Sequence, residues 1–186
     1  VDEARLASDA EYRQSVRYQY GWENSTAPYV FTVHNDVYVF SDIIGVLLTA
    51  IGEHTGIGQI GQCWWCPARQ NDLCSPDRYA EFRPSYLFLM RLYNKDMDYT
   101  KRRAYNLGLR PEFHEHAWPL PECRLNEWAA LINMKKARPA TMPFGPAVPL
   151  GALCVSGAKI GENWDRDVNL DTGVGWFRSM NLQGHS

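Results

Sequence analysis

The 186 residues are 45% hydrophobic and 22% charged, with 7 Trp and 10 Tyr, which excludes disordered, collagen-like and coiled-coil chains and allows one domain with its own core. Nineteen Lys and Arg against 21 Asp and Glu leave a net charge of -2, so no bulk field gathers nucleic acid or an anionic membrane. Five cysteines, an odd number, require at least one outside any intrachain disulfide.

Residues 1–20 predict a helix, with Ser8 and Glu11 at capping-box spacing, Tyr12, Val16 and Tyr20 along one face, and Gly21 as the stop. Two β-rich runs, 29–33 and 37–40, joined by His34-Asn35-Asp36, predict an N-terminal hairpin. Ser41 or Asp42 then caps a short helix whose Ile43, Val46, Leu47, Ala50 and Ile51 face a core. This is the longest apolar run, far short of a bilayer span, so a soluble protein without a membrane span is expected. From Gly52 to Pro76 periodicity gives way to glycine, cysteine and tryptophan, the pattern of a functional loop or a cross-linked knot.

Residues 77–82 and 85–93 read as helices separated by Pro84, the second apolar almost all round and therefore central. Residues 98–107 form a basic helix ended by Gly108. The next helix starts at Pro121-Glu122, buries Leu125, Trp128, Ala129 and Ile132, and ends on Lys135-Lys136, which places acid at its N-terminus and base at its C-terminus. Residues 138–149 hold four prolines and form an extended connection, 150–155 a strand, and the tail turns about Asp171-Thr172-Gly173. The pattern as a whole predicts a single α+β domain over 1–186, mainly helical, with an N-terminal β-hairpin and a loop-rich, cysteine-containing segment.

Chemistry is densest at Cys63-Trp64-Trp65-Cys66, with Cys74 downstream and His54 upstream. Two thiolates separated by two residues reach one ion from a single turn, and His54, Cys63, Cys66 and Cys74 complete a tetrahedral zinc set. Disulfides or buried thiols account for the same residues. Cys63 and Cys66 also have the spacing of a thiol–disulfide redox pair. Gln62-Cys63-Trp64 offers a thiolate nucleophile, with His114 or His116 as base and Asn126 or Asp165 to orient it.

The second cluster is His114-Glu115-His116. In an extended segment both imidazoles fall on one side, so that with a carboxylate they form an open metal site for activating water. Asp165, Asp167, Asn169 and Asp171 alternate as in calcium loops, yet Leu170 stands where the turn needs glycine and Trp176 where a closing glutamate belongs. Gly56-Ile57-Gly58-Gln59-Ile60-Gly61 matches a dinucleotide string without the strand-to-helix context that gives it meaning. Lys101-Arg102-Arg103 and Lys135-Lys136 read as solvated helix faces, so a nucleic-acid partner is not expected.

These residues favour a small hydrolytic enzyme whose polar cleft is built from Glu53 and His54 with His114, Glu115 and His116, where imidazole or metal-bound water does the proton work; a small molecule, a glycan or a protein all remain open as its partner. The competing class is a noncatalytic module stapled by disulfides or zinc, in which Trp64, Trp65, Trp118, Trp164 and Trp176 bind a protein or glycan. A redox protein using Cys63 and Cys66 is the third. The cysteine count favours a secreted or exported chain, and a first residue other than Met fits a processed start; the Asn24-Ser25-Thr26 sequon is a triplet that chance also supplies and proves no secretion.

Overall fold

Two aspartates divide the N-terminal helical segment. Asp2 caps α1 (Glu3–Ser8), its Oδ1 accepting the Arg5 N–H at 3.0 Å, and Asp9 caps α2 (Ala10–Asn24), accepting the Tyr12 N–H at 2.9 Å. Ser8 turns back onto the Ala4 carbonyl instead of capping, and Gly21 lies inside α2 rather than ending it. The structure is a computed structural model that describes residues 1–61, 66–94, 114–120, 122–151, 153–159 and 167–186. It is a mixed α+β protein that divides into two compact units, Val1–Gly61 with Arg124–Leu153 and Asp171–Ser186, and Gln62–Cys123 with Cys154–Leu170.

In the first unit β1 (Tyr29–Val33) and β2 (Gly56–Ile60) flank β3 (Leu125–Asn133) in an antiparallel sheet. The register runs from Tyr29 opposite Asn133 to Val33 opposite Ala129, and from Gly56 opposite Ile132 to Gly58 opposite Ala130. This corrects two expectations. Residues 37–40 form no strand, so there is no N-terminal hairpin, and 125–133 is the central strand rather than a helix. The glycine string lies largely in β2: a Cβ on Gly58 would stand 2.6 Å from the Ala129 carbonyl oxygen, so this glycine serves close strand approach and not a phosphate loop.

β3 passes directly into α6 (Met134–Ala140), because Asn133 ends the strand in an extended conformation and its Oδ1 accepts the Lys135 N–H at 3.1 Å. The 138–149 segment is therefore helical at its start, followed by a turn closed by a bridge between Thr141 and Ala147. α7 (Val174–Leu182) follows Gly173, whose φ of 82° suits a residue without a Cβ, so the expected tail of turns is largely helix. Trp22, Ala130, Ile132, Met134, Ala137, Trp176 and Met180 form the core, with Val30, Leu125 and Leu150 packed on it. Trp22 and Trp176 meet edge to face at 5.8 Å, and the Trp176 indole N–H donates to Thr141 Oγ1 at 2.8 Å. Arg138 fastens α2 to this core by donating to the carbonyls of Trp22 and Ser25.

α3 (Ile43–Ala50) forms as its sequence predicts, with Asp42 Oδ1 accepting the Gly45 N–H at 2.9 Å. Its side chains do not enter the core: no α3 residue is buried, and only Ile51 beyond it is.

The second unit holds α4 (Pro67–Gln70) and α5 (Tyr86–Asn94). Leu89 and Leu92 of α5 are buried while Leu87 and Phe88 are exposed, so this helix is amphipathic rather than central. Residues 77–81 form turns, not a helix. Arg83 lies 3.6 Å over the Trp118 ring, and Tyr79 stacks on the same indole at 6.1 Å. The expected basic helix at 98–107 lies outside the described residues. β4 (Leu153–Lys159) pairs with β5 (Asp167–Thr172), so Asp167, Asn169 and Asp171 of the alternating set lie on a strand, and Asp165 lies outside the described residues. Among the described residues no helix is long and apolar enough to cross a membrane.

Candidate acid–base site

The first unit holds a cleft of about 540 Å³ between α2 and β1, lined among others by Arg17, Tyr18, Trp22, Thr32, His34 and Asn35. Helix and strand periodicity place its walls. Tyr18 and Trp22 are four residues apart on one face of α2, Trp22 buried in the core and Tyr18 half-buried at its edge. Val30, Thr32 and His34 share one face of the β1 strand and its continuation, where Val30 packs on the core and the Thr32 hydroxyl donates to the Ala130 carbonyl at 3.3 Å. His34 extends the ladder by one step, its N–H donating to the Trp128 carbonyl at 3.2 Å.

The start of β3 brings an acid to this imidazole. Asn126 is buried and its Oδ1 accepts the Trp128 N–H at 3.1 Å, and the β2–β3 register shifts between Gly58 and Ile60. That irregularity breaks strict alternation, so Glu127 lines the same side as Ala130 and Ile132. Glu127 Oε1 lies 3.6 Å from His34 Nε2, and the Tyr18 hydroxyl lies 3.5 Å from the same nitrogen. Asp36 Oδ1 stands 3.7 Å from Nδ1 on the exposed side. Glu127 is itself held from behind: Oε2 is 2.6 Å from Nη1 of Arg124, which is 2% exposed and also donates to the Thr172 carbonyl at 2.5 Å. The ring is about one-third exposed, so it is oriented by the protein and reachable from solvent.

The residues expected from sequence take other places. Glu53 follows α3 and pairs with Lys136, whose Nζ donates to Glu53 Oε2 at 2.8 Å; that hydrogen bond and the lysine charge hold the carboxyl below its usual range. His54 is exposed, with Nδ1 3.0 Å from Ser186 Oγ. In the second unit His114 and Glu115 have helical backbone, so the extended geometry that would align two imidazoles is not formed. His114, Glu115 and His116 are all exposed, and the His114 ring stacks on Tyr86 at 4.2 Å.

Cys66 is buried at the start of α4, ahead of Pro67. Cys74 is half-buried; its Sγ donates to the Ser75 carbonyl at 3.6 Å, and burial pushes the thiol up, away from thiolate. Cys63 lies outside the described residues. Among the described residues there is no disulfide, and no group of three or more His, Cys, Asp or Glu is arranged to hold a metal ion.

His34 and Glu127 are the functional candidates that sequence reasoning passes over. His34 reads as a turn residue because Asn35 and Asp36 follow it. The available signal is parity, since positions 30, 32 and 34 fall on one face of a strand. Compared with family models, curated proteins and solved structures, the chain matches none.

Proposed function

We propose that this chain is a small hydrolase whose proton-transfer group is His34. The observation that carries the reading is an imidazole at a 540 Å³ cleft, set between a solvent-side carboxylate and an anchored one. With its proton on Nε2 facing Glu127, the ring leaves the Nδ1 lone pair to accept a proton from water as that oxygen attacks an acyl carbon. The same nitrogen then returns the proton to the leaving group. Glu127 orients the ring and stabilises the imidazolium formed in between, and Arg124 keeps Glu127 in place. Arg17 lines the cleft and brings a cation to the negative charge that develops on the acyl oxygen. At 3.5–3.7 Å these contacts are longer than hydrogen bonds, so the proposed chemistry requires them to shorten when a ligand binds.

The test is turnover of chromogenic acyl esters, with p-nitrophenyl acetate as the first, by wild type and His34→Ala. General acid–base catalysis contributes about 10²- to 10⁴-fold, so the variant falls by at least about 100-fold in kcat/KM with its circular dichroism unchanged. Equal rates from the two proteins contradict the reading.

A noncatalytic binding module is the second reading, favoured by the exposed, mutually packed Tyr38 and Phe40 rings. The zinc set of His54, Cys63, Cys66 and Cys74 belongs with this reading. Elemental analysis decides it: stoichiometric zinc whose removal by EDTA unfolds the protein supports a structural metal, and zinc-free folded protein contradicts it.

A further inference from the structure

The sheet face that packs against Trp22 and Trp176 is not filled evenly. Val30 and Ile132 lie opposite each other on that face, and the next pair along it, Thr32 and Ala130, is smaller. Tyr18 of α2, Trp176 of α7 and Leu150 close over this smaller pair without filling the space, and a pocket of about 10 Å³ is left, bordered also by Glu127. Tyr18, Thr32 and Leu150 line the His34 cleft as well, so the pocket adjoins it. Glu127 borders the pocket while its Oε1 stands 3.6 Å from His34 Nε2, which puts the pocket next to the proton-transfer group.

We infer that this pocket is the acyl subsite of the cleft, that the substrates are acetyl esters, and that Leu150 sets the limit on acyl length. The chemistry rests on the hydrolase reading: water adds to the acyl carbon, the alcohol leaves with the proton that His34 returns, and acetate is the other product. Size selects the acyl group. About 10 Å³ is room for one water-sized group, so the methyl of an acetyl enters and a longer chain does not. Polarity selects a methyl over water, which needs about two to four polar partners. The Thr32 hydroxyl is already engaged with the Ala130 carbonyl, and Glu127 Oε2 with Arg124. Glu127 is the one charged side chain on the lining among the described residues, and its pairing with Arg124 leaves little charge to attract a cation.

Two measurements separate the subsite from the chemistry. The first is kcat/KM for p-nitrophenyl acetate, butyrate and hexanoate, each corrected for its rate without protein. A methylene in an apolar pocket is worth about 10- to 200-fold, so wild type falls at least about tenfold from acetate to hexanoate. Leu150 is half-buried; Leu150→Ala widens the pocket and removes that preference, and Leu150→Phe fills it and loses acetate turnover. The second is binding without turnover to His34→Ala. There p-nitroacetanilide shifts the Trp176 indole N–H resonance in NMR spectra, with a Kd at least about tenfold below that of p-nitrohexananilide. Selective anilide binding without turnover of any ester supports the subsite and ends the hydrolase reading. His34-dependent turnover at equal rates for acetate and hexanoate overturns the subsite and leaves the hydrolase reading standing. Neither turnover nor anilide binding overturns both.

Discussion

Nε2 of His34 stands 3.6 Å from one oxygen of Glu127, and the other oxygen of that carboxylate lies 2.6 Å from the guanidinium of Arg124. One acid thus faces a buried cation and a solvent-reachable imidazole at once. Glu127 is only 12% exposed, so its attraction to Arg124 is poorly screened by water. Glu127→Gln keeps the shape and removes the charge. It is expected to lower stability by about 2 kcal/mol in urea unfolding, because Arg124 loses a buried counter-charge. Adding Arg124→Met recovers part of the stability and none of the activity. An unchanged unfolding midpoint in Glu127→Gln contradicts the anchoring role.

The Trp176–Thr141 hydrogen bond predicts a specific packing defect. Thr141 is fully buried; its hydroxyl donates to the Ala137 carbonyl and accepts the Trp176 indole N–H. Thr141→Val preserves the volume and leaves the indole N–H without its acceptor in the core. The expected loss is about 1–3 kcal/mol, together with altered Trp fluorescence. Thr141→Ser retains the hydroxyl and costs less. If Val and Ser behave alike in chemical denaturation, the lost methyl or altered packing, not the hydrogen bond, is what matters at this position.

The Glu53–Lys136 pair gives a pH signature. Lys136 lowers the folded-state pKa of Glu53, first by its hydrogen bond and then by its charge. The pair's contribution to stability is therefore complete above the ordinary carboxyl value of 4.5 and is lost as pH falls through the lower folded value. The carboxylate is exposed, so added salt reduces the effect. The stability difference between wild type and Lys136→Met should shrink in that acidic window, leaving the part that comes from the Lys136 Nζ hydrogen bond to the Glu53 carbonyl, and remain flat from pH 6 to 8. A difference that grows on acidification contradicts the assignment.

α3 was legible because an aspartate cap precedes an apolar run broken only by Gly45 and Thr49; α5 was legible as a helix, but its nearly all-round apolar composition hid which side faces solvent. The strand at 125–133 was not. Leu125, Trp128, Ala129 and Ile132 have helical spacing, and Lys135 and Lys136 resemble a helix C-terminus. A strand flanked on both edges and buried over Ala130–Asn133 needs no polar alternation there, which leaves periodicity unable to separate it from a helix. Misplacing β3 hides the site. Glu127 is 93 positions from His34 in sequence, and only the pairing of β1 with β3 and the shifted register near Asn126 bring the two together. The turn-like Asn35-Asp36 then masks His34 itself.

The most direct measurement is rescue of His34→Ala by free imidazole in the p-nitrophenyl acetate assay. If His34 moves the proton, the variant's lost rate returns in a saturable way as imidazole occupies the vacated space beside Glu127, by at least about tenfold over the same imidazole acting without protein. His34→Ala with wild-type kcat/KM before any imidazole is added, or imidazole rates identical with and without the variant, would contradict the account.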